Sequence, residues 1–257
     1  MGKILIVSVS LVIFRSAVAQ EKDARNGPWF GFDVGSWVIV HETGTRGEKV
    51  DNKTKIAVSK YRDDDGSPEM TWYIEVKGKF EKRFEEFRLP GLVAERKHHV
   101  GSEKQILVLG GKKIPCKLEE YAWDDPKRTP KVKLKLWRAD GVSVPYRDLD
   151  GYFALGKDVV KATVLLESKE ARREAHAEVV SWAETIQIGK RTLSCIREKK
   201  AEKLTDNGVV IVDEKGEQWL SDEVPGRSVK VIRKGKNFGR VVDIERRVLD
   251  FYSKKRN

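Results

Sequence analysis

Apolar and polar residues alternate along most of this chain with a period of two, the step of an extended strand, and the 3.6-residue step of an amphipathic helix is rare. Trp37-Val38-Ile39-Val40, Thr71 to Val76, Gln105 to Leu109, Val132 to Trp137, Val209 to Val212 and Ser228 to Ile232 read as strands, several with one wet face. Between them stand Asp65-Gly66-Ser67-Pro68, Ala139-Asp140-Gly141, Asp206-Asn207-Gly208 and Glu214-Lys215-Gly216. These residue types tolerate the positive φ of tight hairpin turns. The pattern predicts a mainly β fold, an antiparallel meander with few helices. Strands do not alternate with helical stretches, which excludes a doubly wound nucleotide-binding fold.

One segment resists this reading. Ser168 to Glu178 is made of good helix formers behind a suitable N-cap. Ala175, Ala177 and Val179 nevertheless alternate with His176 and Glu178, and Ile186 and Ile188 keep the two-residue step. We read a strand; a helix over 168–180 would plug a curved sheet without changing the fold class.

The first residues carry an address. Met1-Gly2-Lys3, the apolar run Ile4 to Phe14 and the small-x-small ending Ala17-Val18-Ala19 match the three regions of a secretory signal. The run is shorter than the ~20 residues a membrane-spanning helix needs. Cleavage after Ala19 would leave a polar leader (20–28) and then β structure with no second membrane-length apolar run, so an exported protein, periplasmic or extracellular, is expected. An uncleaved anchor or a buried core strand are the alternatives for this run. The chain has 257 residues, 39% hydrophobic and 35% charged, with a formal net charge of +11. That leaves enough apolar mass for a core and excludes collagen-like and low-complexity classes.

The second half echoes the first. Gly110-Gly111-Lys112-Lys113-Ile114-Pro115-Cys116 is matched by Gly189-Lys190-Arg191-Thr192-Leu193-Ser194-Cys195. Trp137 with Val144-Pro145 then finds a counterpart in Trp219 with Val224-Pro225-Gly226, and Val34-Gly35-Ser36-Trp37-Val38 a weaker one in Leu155-Gly156-Lys157-Asp158-Val159. The chain thus divides into a first β repeat (29–150) and a second (151–257). These are either duplicated hairpin units in one sheet, the arrangement we favour, or two small sequential domains.

At these landmarks the chain resembles a known group. Gly-Ser-Trp-Val, Gly-Lys-x-x-x-Cys and Trp219-x-Ser221-Asp222-x-Val224-Pro225-Gly226 look like uncharacterised exported bacterial proteins of planctomycete type. Their strand pattern is similar to that of the lipoprotein-carrier (LolA/LolB-like) superfamily. The resemblance implies a strongly curved antiparallel sheet or incomplete β-barrel, with an apolar concave face that in the carriers holds acyl chains. The chain departs from that pattern in lacking obvious plug helices.

Seven tryptophans are spread over the chain. Large strand aromatics mostly serve the core. If an apolar cavity exists, Trp72, Trp137 and Trp219 are the residues expected to line it, because each sits in a strongly alternating run. Export places Cys116 and Cys195 where disulfides persist, which makes them a candidate bridge; buried free thiols, with Ile114 and Leu193 on the same faces, are the alternative we favour. A catalytic thiol is disfavoured, since no histidine neighbours either cysteine in sequence. His41, His98, His99 and His176 form no metal-ligand pattern, and Asp63-Asp64-Asp65-Gly66 lacks the ligand spacing of a calcium loop. No cofactor motif occurs.

Positive charge is scattered. Lys131, Lys133 and Lys135 share one face of a strand opposite Val132, Leu134 and Leu136. Such lysines guard an edge strand or attract anionic envelope polymers and lipid headgroups. Nucleic-acid recognition is not expected without a recognisable module. Three functions compete: a non-catalytic envelope protein that holds an amphipathic, lipid- or lipoprotein-like ligand or an anionic envelope component, a structural or protein-interaction β module without a ligand cavity, and an enzyme of unrecognised type.

Overall fold

The structure, a computed structural model, describes residues 28–63, 66–87, 96–125, 129–149 and 153–255. The proposed signal segment and most of the polar leader lie outside these, as do Asp64 and Asp65. Among the described residues the alternating runs form β1 (Trp37–Arg46), β2 (Glu48–Tyr61), β3 (Pro68–Val76), β4 (Lys79–Phe87), β5 (His99–Leu109), β6 (Lys112–Asp125), β7 (Thr129–Arg138), β8 (Arg147–Leu149), β9 (Phe153–Leu155), β10 (Val159–Glu167), β11 (Ala171–Ile188), β12 (Arg191–Asp206), β13 (Val209–Leu220), β14 (Ser228–Asn237) and β15 (Arg240–Tyr252). One 3-10 turn, Arg96–His98, precedes β5. No helix among these residues is long and apolar enough to cross a membrane.

Thirteen strands form one antiparallel sheet in the order β4-β3-β2-β1-β15-β14-β13-β12-β11-β10-β7-β6-β5, and β8 pairs with β9 apart from it. The sheet curls without closing, so the expected mainly β, incomplete-barrel architecture is the one observed. Two non-local seams, β1 on β15 and β7 on β10, hold its ends to the middle. Strands from residues 37–87 lie on one flank, those from 99–138 on the other, and those from 159–252 between them.

The helix-forming segment is the long strand β11. Propensity yields because Ala175, Ala177 and Val179 bury one face, while Glu174 and Glu178 stand opposite Lys203 and Lys199 across the ladder. Gly110 and Gly189 both take φ +56 at two-residue turns, beyond which Ile114 and Cys116, and Leu193 and Cys195, are buried; the second turn residue differs, Gly111 having positive φ and Lys190 not.

Two sequence expectations are corrected. Glu214-Lys215-Gly216 is no turn but the middle of β13. A methyl group on Gly216 would overlap the Ile232 carbonyl oxygen of β14, and one on Gly235 would overlap the Asp213 carbonyl oxygen. These glycines let adjacent backbones close in where the sheet coils. Lys131, Lys133 and Lys135 are on β7, which lies between β6 and β10 and is not an edge. There Lys135 pairs with Glu120 at 2.5 Å, while Val132, Leu134 and Leu136 are buried behind them as expected.

The interior is filled by the chain's own residues. Val144, Leu149, Phe153 and Leu155, from the segment that carries β8 and β9, are at most 2% exposed. Leu149, Phe153 and Leu155 pack with Leu134, Leu136, Val164 and Ala177 of the sheet. Burying each such side chain is worth about 2 kcal/mol before entropy is counted. A second core joins Val38, Ile56, Met70, Cys195, Val229 and Phe251 to Trp29 and Phe32. The Trp219-to-Gly226 landmark secures that segment: Gly226, at φ +77, lies against the Trp29 ring, and Arg227 donates to the Phe30 carbonyl at 3.0 Å and to that of Pro28 at 3.2 Å. Long strands serve more than one core. In β12 Leu193 and Cys195 are buried and then, in the opposite phase, Glu198. β11 makes the matching change through extra residues between Val179 and Glu184.

Candidate functional site

The three candidate tryptophans do not share a cavity. Trp219 and Trp72 belong to the core built around Phe32, and Trp137 packs on a separate cluster around Cys116 and Val160. Trp72 stacks on Phe84 at 5.4 Å. Trp137 donates its indole N–H to Gln105 at 2.8 Å beneath the Lys161 ammonium. Trp219 donates to Glu184 at 2.5 Å between Arg197 and Lys230. Cys116 and Cys195 are free, buried thiols in those two different clusters. Burial pushes the Cys195 thiol up to about 11, with Glu184 and Glu223 adding to it. Such a thiol is a poor nucleophile at neutral pH.

The structure instead brings charged residues together on the sheet. A hollow of about 260 Å³ is bordered by Leu149, Lys200, Glu202, Glu214, Gln218 and Arg233, and none of the three tryptophans lines it. Register explains its position. Lys200 of β12, Gly216 of β13 and Arg233 of β14 stand in one cross-strand row, with Glu198 opposite Gln218 and Glu202 opposite Glu214 in the neighbouring rows. Residues directly opposite share a face. The row therefore sets one cation on each side of a residue without a side chain, and all three line the hollow.

Behind the lining residue Gln218 lies a buried ion pair. Arg147, 2% exposed, donates from Nε to Glu198 Oε1 at 2.5 Å and from Nη2 to the Val159 carbonyl at 2.8 Å. Gln218 donates to the other Glu198 oxygen at 2.6 Å. Among the described residues the buried Arg147 Nη1 has no hydrogen-bond partner. Lys200 donates to the Asp148 carbonyl, tying β12 to β8. Burial pushes its ammonium below the ordinary lysine value; Glu198 and Asp148 oppose that, and Arg147 and Arg233 reinforce it. The acids of the lining are already matched: Glu202 by Arg173 at 2.7 Å, Glu217 by Arg197 at 3.5 Å, and Glu214 by Asn237 at 2.5 Å and Arg233 at 3.9 Å. Among the residues lining the hollow there is no serine, threonine, cysteine or tyrosine. The arrangement can hold an anion by charge and hydrogen bonding.

Sequence reasoning missed this site. The in-phase run Glu198, Lys200, Glu202 placed charge on both faces of β12, a sign that one of them meets a polar interior; Arg147 gave no signal. The described residues contain no group of three or more His, Cys, Asp or Glu able to hold a metal ion.

No family model matches the chain, and no curated protein matches it significantly. Solved structures with a similar strand layout include a Bacteroides fragilis protein inferred to be exported, with a YmcC-like fold, at 10% identity over 88% of this chain and 99% of that one, TM-score 0.36. Another is a Parabacteroides distasonis protein inferred to be a lipoprotein, at 11% identity over 87% and 98% of the respective chains, TM-score 0.38. Likeness at this level assigns no ligand and no activity.

Proposed function

We propose that the chain is an exported, non-catalytic envelope protein that docks an amphipathic or anionic envelope component at the charged hollow, and that it carries no acyl chain in an apolar cavity. The observation behind this reading is that Leu149, Phe153 and Leu155 occupy the apolar inner face of the sheet, each at most 2% exposed. A polar hollow remains for a ligand. Export rests on the signal pattern of the first nineteen residues. The test is organic extraction of the mature protein purified without detergent from its export compartment, followed by mass spectrometry. Less than one acyl lipid per ten proteins is expected; one per protein that Lys200→Met and Arg233→Met leave in place would put an acyl chain in the apolar interior and overturn the reading.

A second reading, a docking module for an extended strand, is favoured by the contrast between the two sheet edges. Edge strand β4 reads Lys-Phe-Glu-Lys-Arg-Phe-Glu-Glu-Phe, with charge along its length. β5 instead leaves Val100, Ile106 and Val108 exposed at 62%, 69% and 65% beside its unpaired backbone. An unguarded edge is a template for another strand. Under this reading Ile106→Lys abolishes partner retention and Phe84→Lys on β4 does not.

A further inference from the structure

We propose that the hollow is a binding site for one phosphate-type oxyanion, headed by Lys200 and completed by Arg233; this rests on the hollow being the docking site. The observation behind it is a set of open donors in a confined place. Facing Lys200 are two acids, Glu198 and Asp148, and two further cations, Arg147 and Arg233. Glu198 is committed on both oxygens, to Arg147 and to Gln218. Among the described residues Lys200 has the Asp148 carbonyl as its hydrogen-bond partner and no carboxylate within ion-pair distance. An ammonium has three donors. Two of them are therefore open at the wall of a hollow of about 260 Å³ whose lining also holds Arg233.

Burying charge without compensation is costly, and an incoming anion is what relieves it. Arg233 stands across Gly216 from Lys200 in the same row and is bound only loosely to Glu214, at 3.9 Å. Its guanidinium can turn to a second oxygen of a tetrahedral group whose first oxygen meets the ammonium. Gly216 lines the hollow between them without a side chain of its own, and the hollow supplies the space. Of the carboxylates that border the hollow, Glu202 is held by Arg173 and Glu217 by Arg197, while Glu214 keeps Asn237 when Arg233 turns to the anion. Phosphate esters reach such a site either free in solution or as the headgroup of a phospholipid.

The test is calorimetric titration of the mature protein at neutral pH and low salt with glycerol 3-phosphate and, separately, with monomeric dihexanoyl-phosphatidylglycerol. One equivalent is expected to bind, and Lys200→Met and Arg233→Met each to weaken it about tenfold or more, the loss of one charge-assisted hydrogen bond. Lys161→Met, on the strand face that carries Trp137, is expected to leave binding unchanged. Tighter binding of the lipid assigns the headgroup as the source, and equal or tighter binding of glycerol 3-phosphate assigns the free ester. Lys200→Met removes a buried charge and is expected to unfold at or above the wild-type temperature, so a loss of binding is not a loss of fold. Absence of binding by either probe, or binding that Lys200→Met leaves intact, overturns the oxyanion site. If an envelope component nonetheless docks to both wild type and Lys200→Met, the proposed function stands without it.

Discussion

Removing Glu198 tests how the inner wall of the sheet is held. Among the described residues its carboxylate is the one acid bonded to the buried Arg147 guanidinium, and it also accepts from Gln218. Glu198→Ala leaves Arg147 buried at 2% exposure, with its bond to the Val159 carbonyl and the Lys200 ammonium nearby. Breaking a buried pair from one side costs about 3–5 kcal/mol, which is a third or more of the stability of a typical domain. Removing both charges avoids the orphaned cation. The double variant Arg147→Met/Glu198→Leu fills similar volume with apolar atoms and is expected within about 2 kcal/mol of wild type, the residue of loss coming from the unbonded Gln218 amide. The assay is urea unfolding followed by tryptophan fluorescence, with the slope compared between variants to confirm two-state behaviour. A Glu198→Ala loss under about 1 kcal/mol, or a double variant as unstable as the single one, would refute the reasoning.

Three other outcomes follow from single sites. Phe238 is 60% exposed and holds φ +47 beside Gly239 in the β14–β15 turn, a conformation that asparagine takes at less cost; Phe238→Asn is expected to gain about 1 kcal/mol in the same urea assay, and no gain would remove strain as a description of that turn. Burial alone would raise the Glu119 carboxyl, but hydrogen bonds from Lys117, Tyr121 and Arg138 outweigh it and hold the group at about 2; its stabilisation is complete above the ordinary carboxylate range and is lost as pH falls from 4.5 toward 2, so Glu119→Gln should cost up to about 3 kcal/mol at neutral pH and flatten the acid limb of the stability profile. With Cys195 and Cys116 both buried and both raised above the ordinary thiol value, chiefly by burial, the native protein should react slowly with a thiol reagent and release two thiols on unfolding without reductant; a count of zero would establish a bridge.

Period-two patterning made the strands legible because most of them bury one face and wet the other, as Val132, Leu134 and Leu136 do beneath Lys131, Lys133 and Lys135. The landmark cysteines and glycines were legible for a similar local reason: a two-residue turn needs Gly110 or Gly189, and the strand after it needs an apolar inner phase. The site was less so. Arg147 and Glu198 are 51 positions apart, and a buried pair of that kind has no local pattern, since either residue alone looks like one more surface charge in a chain that is 35% charged. The tryptophans misled in the opposite direction. Strong alternation marks a residue as inward on its own strand but says nothing about which inner cluster it joins, and bulges such as those in β11 change the buried phase along a single strand.

Gly216 joins the fold to the proposed site, and its misreading as a turn residue shows how. A glycine in a strand marks either a chain reversal or a place where two backbones come close, and only the pairing of β13 with both neighbours distinguishes them. Here it is the second, and the missing side chain has two effects at once. It lets β14 approach so that the sheet coils, and it puts no side chain between Lys200 and Arg233 at the edge of the hollow. Gly216→Ala therefore perturbs both. Its methyl group meets backbone at the Ile232 carbonyl, which cannot swing aside as a side-chain end would, so the cost is that of overpacking, about 1–3 kcal/mol. Gly78→Ala and Gly208→Ala are poor controls, because both positions hold positive φ. Gly101→Ala is a sound one, since nothing lies within 4 Å of the added atom and its φ is ordinary. Gly216→Ala as stable as Gly101→Ala would mean that the strands do not close there, and both the coil of the sheet and the origin of the hollow would need another explanation.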